Sequence, residues 1–191
     1  YGDLIMSAFG ADYNSRTDSG SAYIIYSSKV KNQSGIVALD TTSNWNVRYD
    51  GPMASDGGSG MGFNMAVGDI NNDGYGDLII GNDYAHTQNR TDNGAVYVIY
   101  STLIDDYTGT GNIVDLATQA NWSERYDGEA NSDRLSWGWG YAEGIVVGDI
   151  NDDGVKDLIL SANANSSYGA CYVILGDTIP PAAITNLSAL T

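Results

Sequence analysis

Gly68-Asp69-Ile70-Asn71-Asn72-Asp73-Gly74-Tyr75-Gly76-Asp77-Leu78-Ile79-Ile80 decides the fold, because it returns as Gly148-Asp149-Ile150-Asn151-Asp152-Asp153-Gly154-Val155-Lys156-Asp157-Leu158-Ile159-Leu160. The opening Tyr1-Gly2-Asp3-Leu4-Ile5-Met6 repeats the second half of the same unit. The spacing is 74 residues from Asp3 to Asp77 and 80 from Asp77 to Asp157. Further pieces recur in the same order. Gly20-Ser21-Ala22-Tyr23-Ile24-Ile25-Tyr26 returns as Gly94-Ala95-Val96-Tyr97-Val98-Ile99-Tyr100 and again as Gly169-Ala170-Cys171-Tyr172-Val173-Ile174-Leu175. Arg16-Thr17-Asp18 matches Arg90-Thr91-Asp92, and Asn44-Trp45 with Arg48-Tyr49-Asp50-Gly51 matches Asn121-Trp122 with Arg125-Tyr126-Asp127-Gly128. So many matches in one order identify an internal repeat.

Each unit reads as strands. Met65-Ala66-Val67, Leu78-Ile79-Ile80 and Val96 to Tyr100 are short apolar or β-branched runs bounded by Gly, Asn and Asp. A fourth strand is expected near Val47-Arg48-Tyr49 and Glu124-Arg125-Tyr126, while Ile36 to Leu39 and Ile113 to Leu116 are further apolar runs without a settled place. No long segment has helical periodicity. The fold class is therefore all-β, with four-stranded antiparallel sheets arranged as β-propeller blades. A closed propeller needs about 4–8 blades. Two repeats and a partial third cannot close a ring, so an incomplete propeller fragment, truncated in mid-motif at its N-terminus, is expected. Edge strands left open in this way would be adhesive.

The repeated loop has the chemistry of a cation site. With Asp69 at position one, Asn71, Asp73, Tyr75 and Asp77 fall at positions three, five, seven and nine; the second loop places Asp149, Asn151, Asp153, Val155 and Asp157 there. Alternate residues of a tight loop converge on one point. Three carboxylates, one amide and a backbone carbonyl at position seven make the hard-oxygen set that Ca²⁺ prefers, whereas Mg²⁺ holds its waters and demands stricter geometry. Gly74 and Gly154 at position six permit the sharp turn. Three carboxylates without a cation would repel one another. An EF-hand needs an acid at position twelve and a following helix; here Ile80 or Leu160 opens an apolar strand. The alternative is a plain Asp-Gly hairpin turn, which does not call for alternating acids twice over.

Gly-Asp-Ile-Asn-x-Asp-Gly-x-x-Asp-Leu-Ile followed by Gly-x-x-Tyr-Val-Ile-Tyr resembles the FG-GAP repeats of integrin α-subunit propellers and their bacterial and archaeal relatives. The resemblance covers roughly residues 1–176. It implies Ca²⁺ held between two strands of a blade by Asp69, Asn71, Asp73, the Tyr75 carbonyl and Asp77, and by the corresponding five residues from Asp149 to Asp157. Asp3 is similar to the last ligand of a third site. The Gly-Ala-Pro of the family is replaced by Gly81-Asn82-Asp83 and Ser161-Ala162-Asn163, and no Arg-Gly-Asp is present. Residues 177–191, with Pro180-Pro181-Ala182-Ala183-Ile184-Thr185-Asn186-Leu187, resemble a linker and the start of a fibronectin type III-like module.

Composition narrows the function. The net charge is -16, from 24 acidic and 8 basic side chains. Such a surface excludes phosphate-backbone binding to nucleic acid and a polybasic membrane anchor. Apart from Glu124, Glu129 and Glu143 every acid is Asp, a turn and oxygen-ligand residue rather than a helix former. No stretch is long and apolar enough for a transmembrane helix. Cys171 stands alone and reads as a small buried apolar residue of a strand. His86, the one histidine, reads as a solvated loop residue, so no nucleophile–His–acid set is expected. Trp45 and Trp122 match by repeat and read as blade packing; Trp137 and Trp139 are candidates for sugar stacking. These readings predict a non-enzymatic, secreted or cell-surface Ca²⁺-binding module for adhesion or for recognition of a protein or glycan. The alternative is a non-catalytic scaffold or substrate-binding module of a secreted hydrolase or phospholipase.

Overall fold

The computed structural model describes residues 2–32, 34–55, 60–105, 107–138, 143–163 and 169–176. The expected tail module at 177–191 and Trp139 lie outside the described residues. Among the described residues, eleven strands form three sheets. They are β1 (Leu4–Ala8), β2 (Ser21–Ile25), β3 (Val47–Asp50), β4 (Met65–Gly68), β5 (Asp77–Asn82), β6 (Ala95–Ile99), β7 (Asn112–Asp115), β8 (Glu124–Asp127), β9 (Ile145–Gly148), β10 (Asp157–Ala162) and β11 (Ala170–Ile174). Two short helices, α1 (Ser27–Val30) and α2 (Ser101–Asp105), follow β2 and β6. No helix among the described residues is long and apolar enough to cross a membrane.

The second sheet is a complete antiparallel blade in the order β4-β5-β6-β8. The third holds β9-β10-β11. The anticipated fourth strands are β3 and β8. The first sheet departs from the all-antiparallel expectation: its order is β1-β2-β3-β7, and β7 lies parallel to β3. Residues of the second repeat thus leave their own blade and complete the edge of the blade before it. The run Ile36 to Leu39, so similar to β7 in sequence, forms no strand, and Ile36 is fully exposed.

Strand alternation explains how the sheets stack. Along β5 and β6, Leu78, Ile80, Tyr97 and Ile99 point into a core shared with Ile24, Val47 and Tyr49 of the first sheet. The intervening Ile79, Val96 and Val98 point the other way, against Leu158, Leu160 and Tyr172 of the third. A strand with sheets on both faces is buried at every residue, as β5 and β6 are. The outer face of the first sheet is covered by Trp45, Val30 and Leu39, which pack on Tyr23 and Ile25. The matched tryptophans are therefore packing residues: Trp45 is 1% exposed and meets Tyr23 edge-on, and Trp122 meets Tyr97 in the same manner.

Two glycines fix the distance between blades. Gly20 and Gly94 both have φ of +76°, and a Cβ there would lie 2.2 Å from the Met61 carbonyl oxygen and 2.3 Å from the Leu135 nitrogen, respectively. The backbones approach too closely for any side chain. Cys171 corrects the sequence reading. It is exposed, because β11 is the outermost strand described in its sheet and no further sheet is described against its outer face.

Candidate metal centre

The two Asp-rich loops join β4 to β5 and β9 to β10, the inner strand pairs of the second and third sheets. Both turn through the left-handed region at the same two places. Asn72 has φ 57° and Gly74 89°, and Asp152 has 60° and Gly154 89°. Gly carries the more strained of these at no steric cost, and Asn or Asp tolerates the other.

Hydrogen bonds repeat between the loops almost atom for atom. Asp69 accepts the N–H groups of Asp73 at 3.0 Å and Gly74 at 2.9 Å. Asn71 Oδ1 accepts the Asp73 N–H at 3.0 Å, and Asp73 accepts the Tyr75 N–H at 2.8 Å. In the second loop Asp149 accepts from Asp153 and Gly154 at 3.2 and 2.9 Å, Asn151 from Asp153 at 3.1 Å, and Asp153 from Val155 at 2.8 Å. The loops are thus held in one shape by their own side chains.

The last acid of each loop sits differently. Asp77 and Asp157 are fully buried. Asp77 spans the loop and the next strand pair, accepting Ile70 N–H at 3.0 Å and Ser101 N–H at 2.9 Å. Asp157 does the same with Ile150 at 2.8 Å and Gly176 at 2.9 Å. Asp3 makes the equivalent bond, at 2.7 Å, to Ser27 N–H, but it is exposed. Burial pushes the Asp77 carboxyl up, against the pull of those N–H bonds, and the negative charges of Asp73 and Asp69 push it further. For Asp73 burial also opposes ionisation. The Tyr75 N–H, the Ser101 hydroxyl at 2.9 Å and the Asn71 amide outweigh it, holding the carboxyl below its ordinary range.

The structure therefore brings Asp69, Asn71, Asp73 and Asp77 onto one loop, and Asp149, Asn151, Asp153 and Asp157 onto the other. Among the described residues no three His, Cys, Asp or Glu side chains gather into a ready-made cage, because these carboxylates face loop N–H groups. Each carboxylate nevertheless keeps unused lone pairs. The set is all hard oxygen, with three carboxylates and one amide in each loop. That is the donor chemistry that suits Ca²⁺. Tyr75 is largely exposed and Val155 buried, so position seven has in common only its backbone carbonyl. The Ser101 hydroxyl on Asp73 was not legible in the sequence, since 28 residues separate the two.

Other candidates resolve differently. His86 is half-buried: its Nδ1 accepts the Asp92 N–H at 3.2 Å, and its Nε2 lies 3.5 Å from the Asp92 carboxylate. It braces a loop. Trp137 is partly buried, and its carbonyl accepts the Ser161 hydroxyl at 2.7 Å.

Residues 61–99, which span β4, the first Asp-rich loop, β5 and β6, match the FG-GAP repeat family model. A phosphatidylinositol-glycan-specific phospholipase D of Dictyostelium discoideum is 31% identical over 168 residues, covering 82% of this chain and 17% of that protein. Integrin alpha-7 of Mus musculus is 33% identical over 125 residues, 63% of this chain and 9% of that protein. The phospholipase D of the same kind from Bos taurus is 34% identical over 123 residues, 61% of this chain and 13% of that protein. The chain thus spans less than a fifth of the length of each of these relatives.

Proposed function

We propose, for a chain that belongs to the FG-GAP repeat family, that it is a non-catalytic, calcium-binding β-propeller module acting outside the cell in adhesion or in recognition of a protein or glycan. The observation that carries this reading is the pair of Asp-rich loops, whose acids, amide and turn bonds coincide position by position. Ca²⁺ bound there would neutralise the three carboxylates of a loop and add a cross-link between inner strands. Asp77 and Asp157 already tie each loop to the segment after the third strand of its sheet, so the chain's own contribution is to hold the acids and the blade in register. Extracellular calcium is abundant enough to fill sites of modest affinity, which suits a module outside the cell.

A second reading is favoured by one alignment. Because 82% of this chain matches a phospholipase D, the module also suits the scaffold or substrate-binding part of a secreted hydrolase. In either case its role is to bind and position.

Calorimetric titration with Ca²⁺ tests the metal. Two equivalents are expected, with Asp73→Ala and Asp153→Ala each removing one. Thermal melting should fall when a chelator is added, since a ligand that binds only the folded state stabilises it by mass action. Absence of both binding heat and chelator sensitivity would sink the reading.

A further inference from the structure

Asn-X-Ser/Thr, with X other than Pro, is the triplet on which N-linked oligosaccharide is built in secreted proteins. Among the described residues, Asn32, Asn89 and Asn121 open such a triplet. The fold treats them differently. Asn121 ends a short 3₁₀ turn (Gln119–Asn121) and is half-buried. Its amide donates to the Asp115 carbonyl at 2.8 Å, and the next residue, Trp122, packs edge-on against Tyr97. The Asn32 amide donates to the Ser28 carbonyl, also at 2.8 Å. Asn89 is exposed, and its amide makes no hydrogen bond among the described residues.

The Asn89 triplet lies in the loop from β5 to β6. Gln88 and Asn89 pass through the left-handed region with φ of 52° and 60°, as Asn14 and Ser15 do in the first repeat with 53° and 61°. Asn tolerates this conformation well, so its ordinary role would be the turn itself. Ser15 shows that the turn does not need it, since the same Arg and Thr follow at the same backbone angles. Backbone bonds fix the triplet. The Arg90 N–H donates to the Thr87 carbonyl at 2.9 Å, the Thr91 N–H to Asn131 Oδ1 at 3.0 Å, and the Thr91 carbonyl accepts the Ser132 N–H at 2.8 Å. The Arg90 guanidinium is tied back to the Gln88 oxygen at 3.2 Å and the Gly128 carbonyl at 3.3 Å. On either side of it Asn89 and Thr91 are exposed, and neither side chain makes a hydrogen bond among the described residues. The amide and the hydroxyl of the triplet are thus both open to solvent on a turn that the backbone holds.

We propose that Asn89 carries an N-linked oligosaccharide, with Thr91 supplying the hydroxyl of the triplet. The inference rests on the reading that the module works outside the cell. In the transfer, Asn89 Nδ2 forms a bond to the anomeric carbon of an oligosaccharide carried on a polyprenyl diphosphate. The bond from that carbon to the diphosphate oxygen breaks, the lipid diphosphate leaves, and one amide proton passes to a base of the transferase. The sugar then stands at the opposite end of β5 from the Asp-rich loop. β5 is six residues long, about 20 Å at the usual strand rise, so the glycan covers the β5–β6 turn and leaves the acids of the loop open.

Secretion of the full chain from a eukaryotic cell, enzymatic release of N-glycans in heavy-oxygen water and peptide mass mapping test this. Asn89 is expected to become labelled aspartate in most molecules, and Asn121 to stay unlabelled in the folded, secreted protein. Asn89→Ser, which copies Ser15, should lose the mass of one glycan and keep the melting temperature of the deglycosylated parent. Thr91→Ala should lose the same mass with Asn89 intact, and Thr91→Ser should keep it. An unlabelled Asn89 overturns the proposal, and so does a glycan that persists at Asn89 in Thr91→Ala. Equal labelling of Asn121 in the folded protein also overturns it, because the geometry would then not have chosen between the triplets. Calcium titration of the same preparations separates this proposal from the metal reading. An unlabelled Asn89 in a chain that still takes up Ca²⁺ sinks the glycan site alone, whereas a glycosylated Asn89 in a chain that takes up none supports the glycan site and sinks the metal alone.

Discussion

Asp77 accepts the backbone N–H of Ser101 at 2.9 Å across 24 residues of chain, fastening the start of β5 to the end of β6. The same carboxylate holds Ile70 within the loop. One fully buried side chain therefore satisfies two N–H groups that have no strand partner.

Removing it should be costly. Asp77→Ala leaves buried donors unsatisfied, at about 1–3 kcal/mol each, so a loss of about 2–4 kcal/mol in urea unfolding is expected. Asp157→Ala should cost a similar amount. Asp3→Ala should cost under about 1 kcal/mol, because Asp3 is exposed and water can replace it. Equal costs at all three positions would contradict this account.

The inter-blade glycines make a sharper prediction. Gly94→Ala would set a Cβ 2.3 Å from the Leu135 nitrogen in a backbone with φ of +76°. Both strain and overlap act against it, and a loss exceeding about 1 kcal/mol is expected from the backbone alone. Gly2→Ala, with open space around it, is the control. Thermal melting compares the two.

Trp45 separates packing from ligand binding. It is 1% exposed, and its indole N–H donates to the Leu39 carbonyl at 2.9 Å. Trp45→Ala should cost about 3–5 kcal/mol by chemical denaturation. Trp122→Ala, at a less buried site, should cost less. Glycan binding that disappeared with Trp45→Phe while stability was retained would reverse the assignment.

Alkaline pH should unfold the chain through its tyrosines. Burial pushes the Tyr97 hydroxyl from 10.0 up to about 12. A group held protonated in the folded state contributes stability that is complete below pH 10 and lost as pH rises towards 12. Tyr23 and Tyr172, also pushed to about 12 chiefly by burial, act in the same window. Tyr97→Phe should flatten that loss by about 2 kcal/mol, as read from unfolding curves at a series of pH values.

The amino-acid sequence alone determined the repeat, the strands around it and the chemistry of the loop. Those depend on neighbours within a few residues: Asn72 and Gly74 set the turn, Asp69 bonds the next N–H groups, and apolar alternation marks β5 and β6. The tertiary structure decided what depends on partners far along the chain. Ile36-Val37-Ala38-Leu39 and Ile113-Val114-Asp115-Leu116 are almost the same stretch, yet only the second is a strand. Its hydrogen bonds go to β3, about 65 residues earlier, whereas the first faces no described strand. Cys171 is exposed for the same reason, since burial in a sheet requires a second sheet. A strand is a relation between two segments, and a single sequence states only one side of it.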